Sequence, residues 1–172
     1  MSDIKQLISI IIPIFNESES IGFLLDEVIS VMESNKFNFE LIVVNDGSKD
    51  NTHQVLKQLT LRMNELSVIS LRKNYGQTAA MSAGFDHSKG DIVITLDGDL
   101  QNDPNDIPKL ISEINNGYDL ICGWRFDRKD KLVNRKIPSK IANKLIAYVT
   151  GLRLHDYGCS LKAFKKEIIN DI

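Results

Sequence analysis

The segment Thr95-Leu96-Asp97-Gly98-Asp99-Leu100-Gln101 sets two carboxylates one residue apart. In extended chain alternate side chains share a face, so Asp97, Asp99 and Gln101 can point the same way. Carboxylates that close repel each other unless a cation sits between or beside them. Oxygen-only ligands favour a hard ion, Mg²⁺ or Mn²⁺, which normally keeps open positions for substrate phosphates. The bland alternative is an Asx-rich turn with solvated carboxylates. These acids end an apolar run, Asp91 to Leu96, and that placement favours the chemical reading.

Three further groups could take part. Asp46, within Asn45-Asp46-Gly47-Ser48-Lys49-Asp50, could accept a hydrogen bond from a nucleobase N–H, although a plain strand-to-helix turn explains the segment equally well. The charge-rich run from Arg125 to Arg135 offers Arg125, Arg128 and Arg135 as anion contacts on an acceptor side, and a solvated loop accounts for most of its members. Asp156 adjoins His155. Neighbours in extended chain point apart, so the two make a poor acid–base pair, and Asp156 is the better candidate.

These residues need elements to hold them. Leu7 to Ile12 is an apolar run that reads as a buried strand ending at Pro13. Apolar residues at helical spacing then predict a helix within Glu17 to Asn35, capped by Ser18 or Ser20. Glu40 to Val44, Ser67 to Leu71, Asp91 to Leu96 and Asp119 to Gly123 read as further strands, with Leu161 to Phe164 as a last one. Helices are expected from Asp50 or Thr52 to Asn64, over Gln77 to His87, after Pro104 and Pro108, and over Ile137 to Thr150. Alternating strands and helices imply a parallel sheet wound by right-handed crossovers. Its ligand crevice lies beyond the carboxyl ends of the strands, where Asn16-Glu17, Asn45 to Ser48, Arg72 to Gly76, Asp97 to Gln101 and Arg125 fall.

Bulk properties narrow the class. A length of 172 residues suits one domain with its own core. The net charge of -2 provides no general field for nucleic acid, so none is expected as a partner. Cys122 and Cys159 form no CxxC pair and read as small core residues rather than a disulfide or thiolate site. His53 and His87 read as surface residues on helices. No stretch approaches the roughly 18 apolar residues of a membrane span, and the amino terminus lacks a signal peptide's apolar core, so a cytoplasmic location is expected. The first strand leads into Pro13-Ile14-Phe15-Asn16-Glu17 rather than GxGxxG, and GxxxxGK[ST] is absent from the sequence. A bound diphosphate would therefore draw its positive charge from a metal ion.

Taken in order, five segments resemble the motif set of family-2 glycosyltransferases of the polyprenyl-phosphate group, relatives of dolichyl-phosphate mannosyltransferase and the undecaprenyl-phosphate sugar transferases. They are Pro13 to Glu17, Val44 to Thr52, Arg72 to Gln77, Asp97 to Pro104 and Asp156 to Phe164. The resemblance implies an α/β GT-A fold, with a mostly parallel sheet flanked by helices, and an inverting reaction that needs Mg²⁺ or Mn²⁺. It implies that Pro13, Phe15, Glu17 and Asp46 line the nucleoside pocket. Asp97 would contact ribose or diphosphate, and Asp99 and Gln101 would bind the metal. Arg125, Arg135 and Ser139 would hold the acceptor phosphate, the last two at an Arg-x-x-x-Ser spacing. Asp156 would sit near the reacting centre, so that Asp97, Asp99 and Asp156 form the catalytic set. The partners implied are a UDP- or GDP-linked sugar and a lipid phosphate, undecaprenyl or dolichyl. Two departures stand out. Asn45 replaces a first aspartate, and the sequence stops at Ile172 where relatives continue. Residues 1–172 therefore read as one catalytic domain truncated at its carboxyl end, lying at the cytoplasmic face of a membrane in the full-length protein. The sequence leaves a homo-oligomer open. Two rival functions stay on the table: a soluble transferase acting on a sugar or protein hydroxyl, and a truncated, non-catalytic nucleotide-sugar-binding module.

Overall fold

A computed structural model describes residues 6–123 and 159–169. One six-stranded sheet organises them, in the order β3-β2-β1-β4-β6-β5. The strands are β1 (Leu7–Ile14), β2 (Asn38–Asn45), β3 (Leu66–Ser70), β4 (Ile92–Thr95), β5 (Leu120–Cys122) and β6 (Lys162–Lys165). The helices between them are α1 (Ile21–Ser34), α2 (Thr52–Leu59), α3 (Gln77–His87) and α4 (Ile107–Asn115). A 3₁₀ turn, Pro104–Asp106, leads into α4, and a helical turn, Lys166–Ile169, follows β6.

The four strands β1 to β4 run parallel, which sends Ile14, Asn45, Ser70 and Thr95 to the same edge. β6 is antiparallel to both β4 and β5, so the sheet is mixed. The alternating pattern of the sequence does not reveal that reversal. Strand direction depends on how the chain re-enters after residue 123.

The apolar runs form a core on both faces of the sheet. Ile8, Ile10, Ile12 and Ile14 pack with Ile21, Leu24, Leu25, Val28 and Met32 of α1. Ile11, Ile42, Val44 and Val93 pack on the opposite face with Ala80 of α3. The period of two along β1 thus divides its isoleucines between two helical layers.

β1 passes through Pro13 instead of ending there. Ile14 O accepts from Asp46 N on the β2 side, and Ile11 O accepts from Leu96 N on the β4 side. In a parallel ladder successive residues face opposite neighbours, so Pro13 faces β4. That ladder closes at Ile11–Thr95, and the missing proline N–H removes no bond from it. α1 begins at Ile21 rather than Glu17, and Ser20 makes no side-chain cap to it; its hydroxyl bonds Glu17 instead. α2 stops at Leu59, short of Asn64. Cys159 is buried as expected, whereas Cys122 is half-buried at the sheet edge, where burial pushes its thiol pKa up. His53 and His87 are exposed. Among the described residues no helix is long and apolar enough to cross a membrane.

Candidate donor site at the carboxyl edge of the sheet

A cleft of about 300 Å³ opens at the carboxyl ends of the parallel strands. Pro13, Ile14, Phe15 and Glu17 line it from the end of β1, and Asp46 from the end of β2. The loop after β3 and the start of α3 contribute Asn74, Gly76, Gln77 and Ala80, and the turn after β4 contributes Asp97, Gly98 and Asp99.

The loops after β1 and β2 hold each other. Asn16 N donates to Ser48 Oγ at 2.9 Å, and Lys49 N returns a bond to Asn16 Oδ1 at 2.8 Å. Glu17 N donates to Thr52 Oγ1 at 3.0 Å, and Ser18 N to Asp50 Oδ2 at 3.3 Å. Asp50 also accepts from the hydroxyl and amide of Thr52, and with those bonds its carboxyl pKa falls to about 2. Asn45, at the position where a first aspartate was expected, accepts from Ser48 N at 2.9 Å, so its side chain shapes the turn.

Asp46 is 4% exposed, and both of its oxygens accept backbone amides: Tyr75 N at 2.7 Å and Gly76 N at 2.8 Å. It therefore ties the loop after β2 to the loop after β3. Gly47 allows their close approach, because a Cβ there would lie 2.3 Å from the carbonyl carbon of Lys73. Each carboxylate oxygen has room for a second acceptance, so this role leaves Asp46 able to meet a base N–H.

Asp97 and Asp99 both line the cleft; they lie past the end of β4, with Gly98 and Asp99 in a turn, so a turn rather than the expected alternation of extended chain brings the two carboxylates together. Gln77 Nε2 donates to Asp97 Oδ1 at 2.7 Å, and Asp99 Oδ1 accepts the Gln101 amide at 3.1 Å. Gly98 packs on β1; a Cβ there would meet Ile14 Cγ2 at 2.6 Å and push the acidic turn outward. Gln101, expected as a metal ligand, is exposed and does not line the cleft: the chain turns at Gly98 and Asp99, and Leu100, with φ of 60°, redirects it just before Gln101. Arg125, Arg128, Arg135, Ser139 and Asp156 lie outside the described residues. Sequence reasoning assigned no role to Gln77, although it closes the segment from Arg72 that follows β3 to the same rim.

Among the described residues, the cleft is lined by four carboxylates, Glu17, Asp46, Asp97 and Asp99, and by no lysine or arginine. An anionic ligand entering such a cleft needs a cation to accompany it. Asp97 and Asp99 fit a hard divalent ion in donor chemistry, with oxygen ligands at the mouth of a cleft open to phosphate oxygens. Among the described residues, no group of three or more acidic, histidine or cysteine side chains forms a complete cage.

The model of glycosyl transferase family 2 matches residues 9–172. The chain belongs to glycosyl transferase family 2. Within that family, it is 48% identical over 167 residues to dodecaprenyl-phosphate galacturonate synthase of Rhizobium johnstonii, covering 96% of this chain and 49% of that protein. It is 41% identical over 172 residues to undecaprenyl-phosphate 4-deoxy-4-formamido-L-arabinose transferase of Edwardsiella ictaluri, covering 98% and 53%. The family-2 chain thus spans about half the length of the curated relatives it matches. Its fold is that of the GT-A glycosyltransferases. Glucosyl-3-phosphoglycerate synthase of Mycobacterium tuberculosis, solved with Mn²⁺ and uridine-diphosphate-glucose, superposes with a TM-score of 0.76 at 22% identity over 97% of this chain and 58% of that one.

Proposed function

We propose that this chain is the donor-binding, catalytic portion of a transferase that moves a sugar from a nucleoside diphosphate sugar to a polyprenyl phosphate. The observation that carries the reading is the convergence of Asp97, Asp99, Asp46, Glu17 and Pro13 on one cleft at the carboxyl edge of the sheet. The acceptor half is supported by the names of the relatives at 48% and 41% identity, and a UDP-linked donor by the uridine-diphosphate-glucose held by the mycobacterial synthase.

In this reading Pro13 and Phe15 form the apolar wall for the base, and Asp46 accepts a base N–H. Glu17 borders the nucleoside, and Asp97 faces ribose or diphosphate. Asp99, with Asp97 beside it, holds Mg²⁺ or Mn²⁺. When bound, the ion supplies the positive charge that offsets the growing charge of the departing nucleoside diphosphate. The reaction is a single displacement: an acceptor phosphate oxygen forms the new bond to the anomeric carbon as the bond to the diphosphate oxygen breaks, with inversion. A phosphate monoester has its second pKa near ~6 and is mostly dianionic at neutral pH, so the attacking oxygen needs no strong general base. The chain's contribution is orientation and charge placement. Arg125, Arg135 and Ser139 are assigned to the acceptor phosphate and Asp156 to the reacting centre. The expected location is the cytoplasmic face of the membrane that carries the lipid acceptor.

The test compares prenyl phosphates with free sugars and peptides as acceptors for UDP-sugars in Mn²⁺, using this chain and its full-length parent, each with Asp99→Ala. Transfer to prenyl phosphate that falls about 10²–10³-fold in the variant is expected. Transfer to hydroxyl acceptors alone, or undiminished turnover by Asp99→Ala, overturns the corresponding half of the reading.

A further inference from the structure

Behind the acidic turn lies a buried polar cluster that the transfer reaction does not itself use. Thr95, Asn102 and Ser160 are 0%, 7% and 8% exposed. Thr95 Oγ1 donates to the backbone carbonyl of Ser160 at 2.5 Å, and Asn102 Nδ2 donates to Ser160 Oγ at 2.9 Å. The remaining face of the Asn102 amide, Oδ1, accepts from the Cys159 thiol at 3.6 Å. Thr95 stands just before Asp97-Gly98-Asp99 and Asn102 just after it. Ser160 lies 65 residues beyond the first and 58 beyond the second. One distant residue therefore receives a hydrogen bond from each flank of the turn that presents the two cleft carboxylates.

The turn needs such support. Leu100 holds a left-handed φ of 60° directly after Asp99, a conformation that costs free energy in a non-glycine residue and persists where its surroundings over-determine it. Leu100 is 47% exposed, so its own side chain supplies little anchoring. The stapling bonds are buried, where leaving one partner unmatched is costly.

We infer that Ser160 is a positioning residue, clamping both flanks of the acidic turn so that Asp97 and Asp99 meet a divalent ion and diphosphate in one preset arrangement. Preset ligands bind more tightly because less freedom is lost on binding. The inference rests on the metal reading proposed above.

The test uses the 172-residue chain. Ser160→Ala removes the acceptor of the Asn102 amide, and Thr95→Val removes the other hydroxyl at nearly constant volume. Thr95→Ser retains that hydroxyl and is the conservative control. Mn²⁺ affinity in the presence of UDP is read from the spin-resonance signal of free Mn²⁺, at a temperature well below each variant's own unfolding midpoint measured without ligands. Ser160→Ala and Thr95→Val should each weaken Mn²⁺ binding about two- to tenfold, the equivalent of one net hydrogen bond, and Thr95→Ser should restore it. If Ser160→Ala does not fold, Thr95→Val against Thr95→Ser decides. Folded variants that bind Mn²⁺ as the natural chain does overturn the staple and leave the metal reading standing. A natural chain that binds no Mn²⁺ with UDP overturns both.

Discussion

The side-chain amide of Gln77, at the first turn of α3, donates to Oδ1 of Asp97 at 2.7 Å. Asp46 fixes the two residues just before Gln77 through the amides of Tyr75 and Gly76. A chain of polar contacts thus runs from the carboxylate assigned to the base to the carboxylate assigned to the diphosphate.

Gln77→Ala should remove one hydrogen bond that orients Asp97. Affinity for Mn²⁺ with UDP is expected to weaken about two- to tenfold, the worth of one net hydrogen bond. Gln77 is exposed, so the unfolding midpoint should scarcely change. Calorimetric titration beside a melting curve checks both; undiminished affinity would show that Asp97 is held without it.

Asp46→Asn should both destabilise the chain and weaken nucleotide binding. Asparagine has one acceptor oxygen, so one of the two loop amides would face an NH₂ donor in a buried place. The expected loss is about 1–3 kcal/mol, read from denaturant unfolding without ligand. Unchanged stability would mean that the loop after β3 keeps its position by other contacts.

Gly47→Ala should disturb the same junction through sterics alone. Gly47 has φ of 66°, and an added Cβ would fall against the Lys73 backbone. A loss of about 1–3 kcal/mol is expected, larger than for a typical surface substitution. The control is Gly117→Ala. It also sits at positive φ, but a Cβ there meets nothing within 4 Å, so the difference between the two isolates the clash.

Asp50 sets a pH dependence. Its folded carboxyl pKa lies at about 2, below the ordinary 3.8, chiefly because Thr52 donates to it. A depressed carboxylate stabilises the fold fully above its unfolded value. That contribution fades as pH falls from about 4 toward 2 and is absent below both values. Asp50→Asn should flatten this part of the stability profile, and because the group is exposed the effect is small. Carbon-detected NMR titration of the Asp50 carboxyl measures the pKa directly, and a midpoint near 4 would contradict the assignment.

Much of this protein is written locally. Apart from Ser9 and Glu40, Leu7 to Ile12 and Glu40 to Val44 are apolar on both faces, as in strands whose sheet is covered by helices on both sides. The alternation of strands with helices then places the polar segments after Ile14, Asn45, Ser70 and Thr95 at one edge, and the Asp97-Gly98-Asp99 segment falls there because it directly follows β4. These features depend on neighbours within a few residues, and composition and spacing encode them directly.

Other features arose only between segments far apart in the chain. Pro13 could remain inside β1 because β4 ends before reaching it. Gln101 left the cleft because the chain turns at Gly98 and Asp99 and Leu100 redirects it. The antiparallel entry of β6, the grip of Asp46 on Tyr75 and Gly76, and the bonds from Thr95 and Asn102 to Ser160 each join residues at least 29 positions apart. Hydrogen-bond partners at that range are selected by packing of the whole sheet, where a buried donor must find whichever acceptor the fold brings to it. The kinds of chemistry available were therefore set by residue type and local period, and the fixing of each carboxylate in place was decided by tertiary contact.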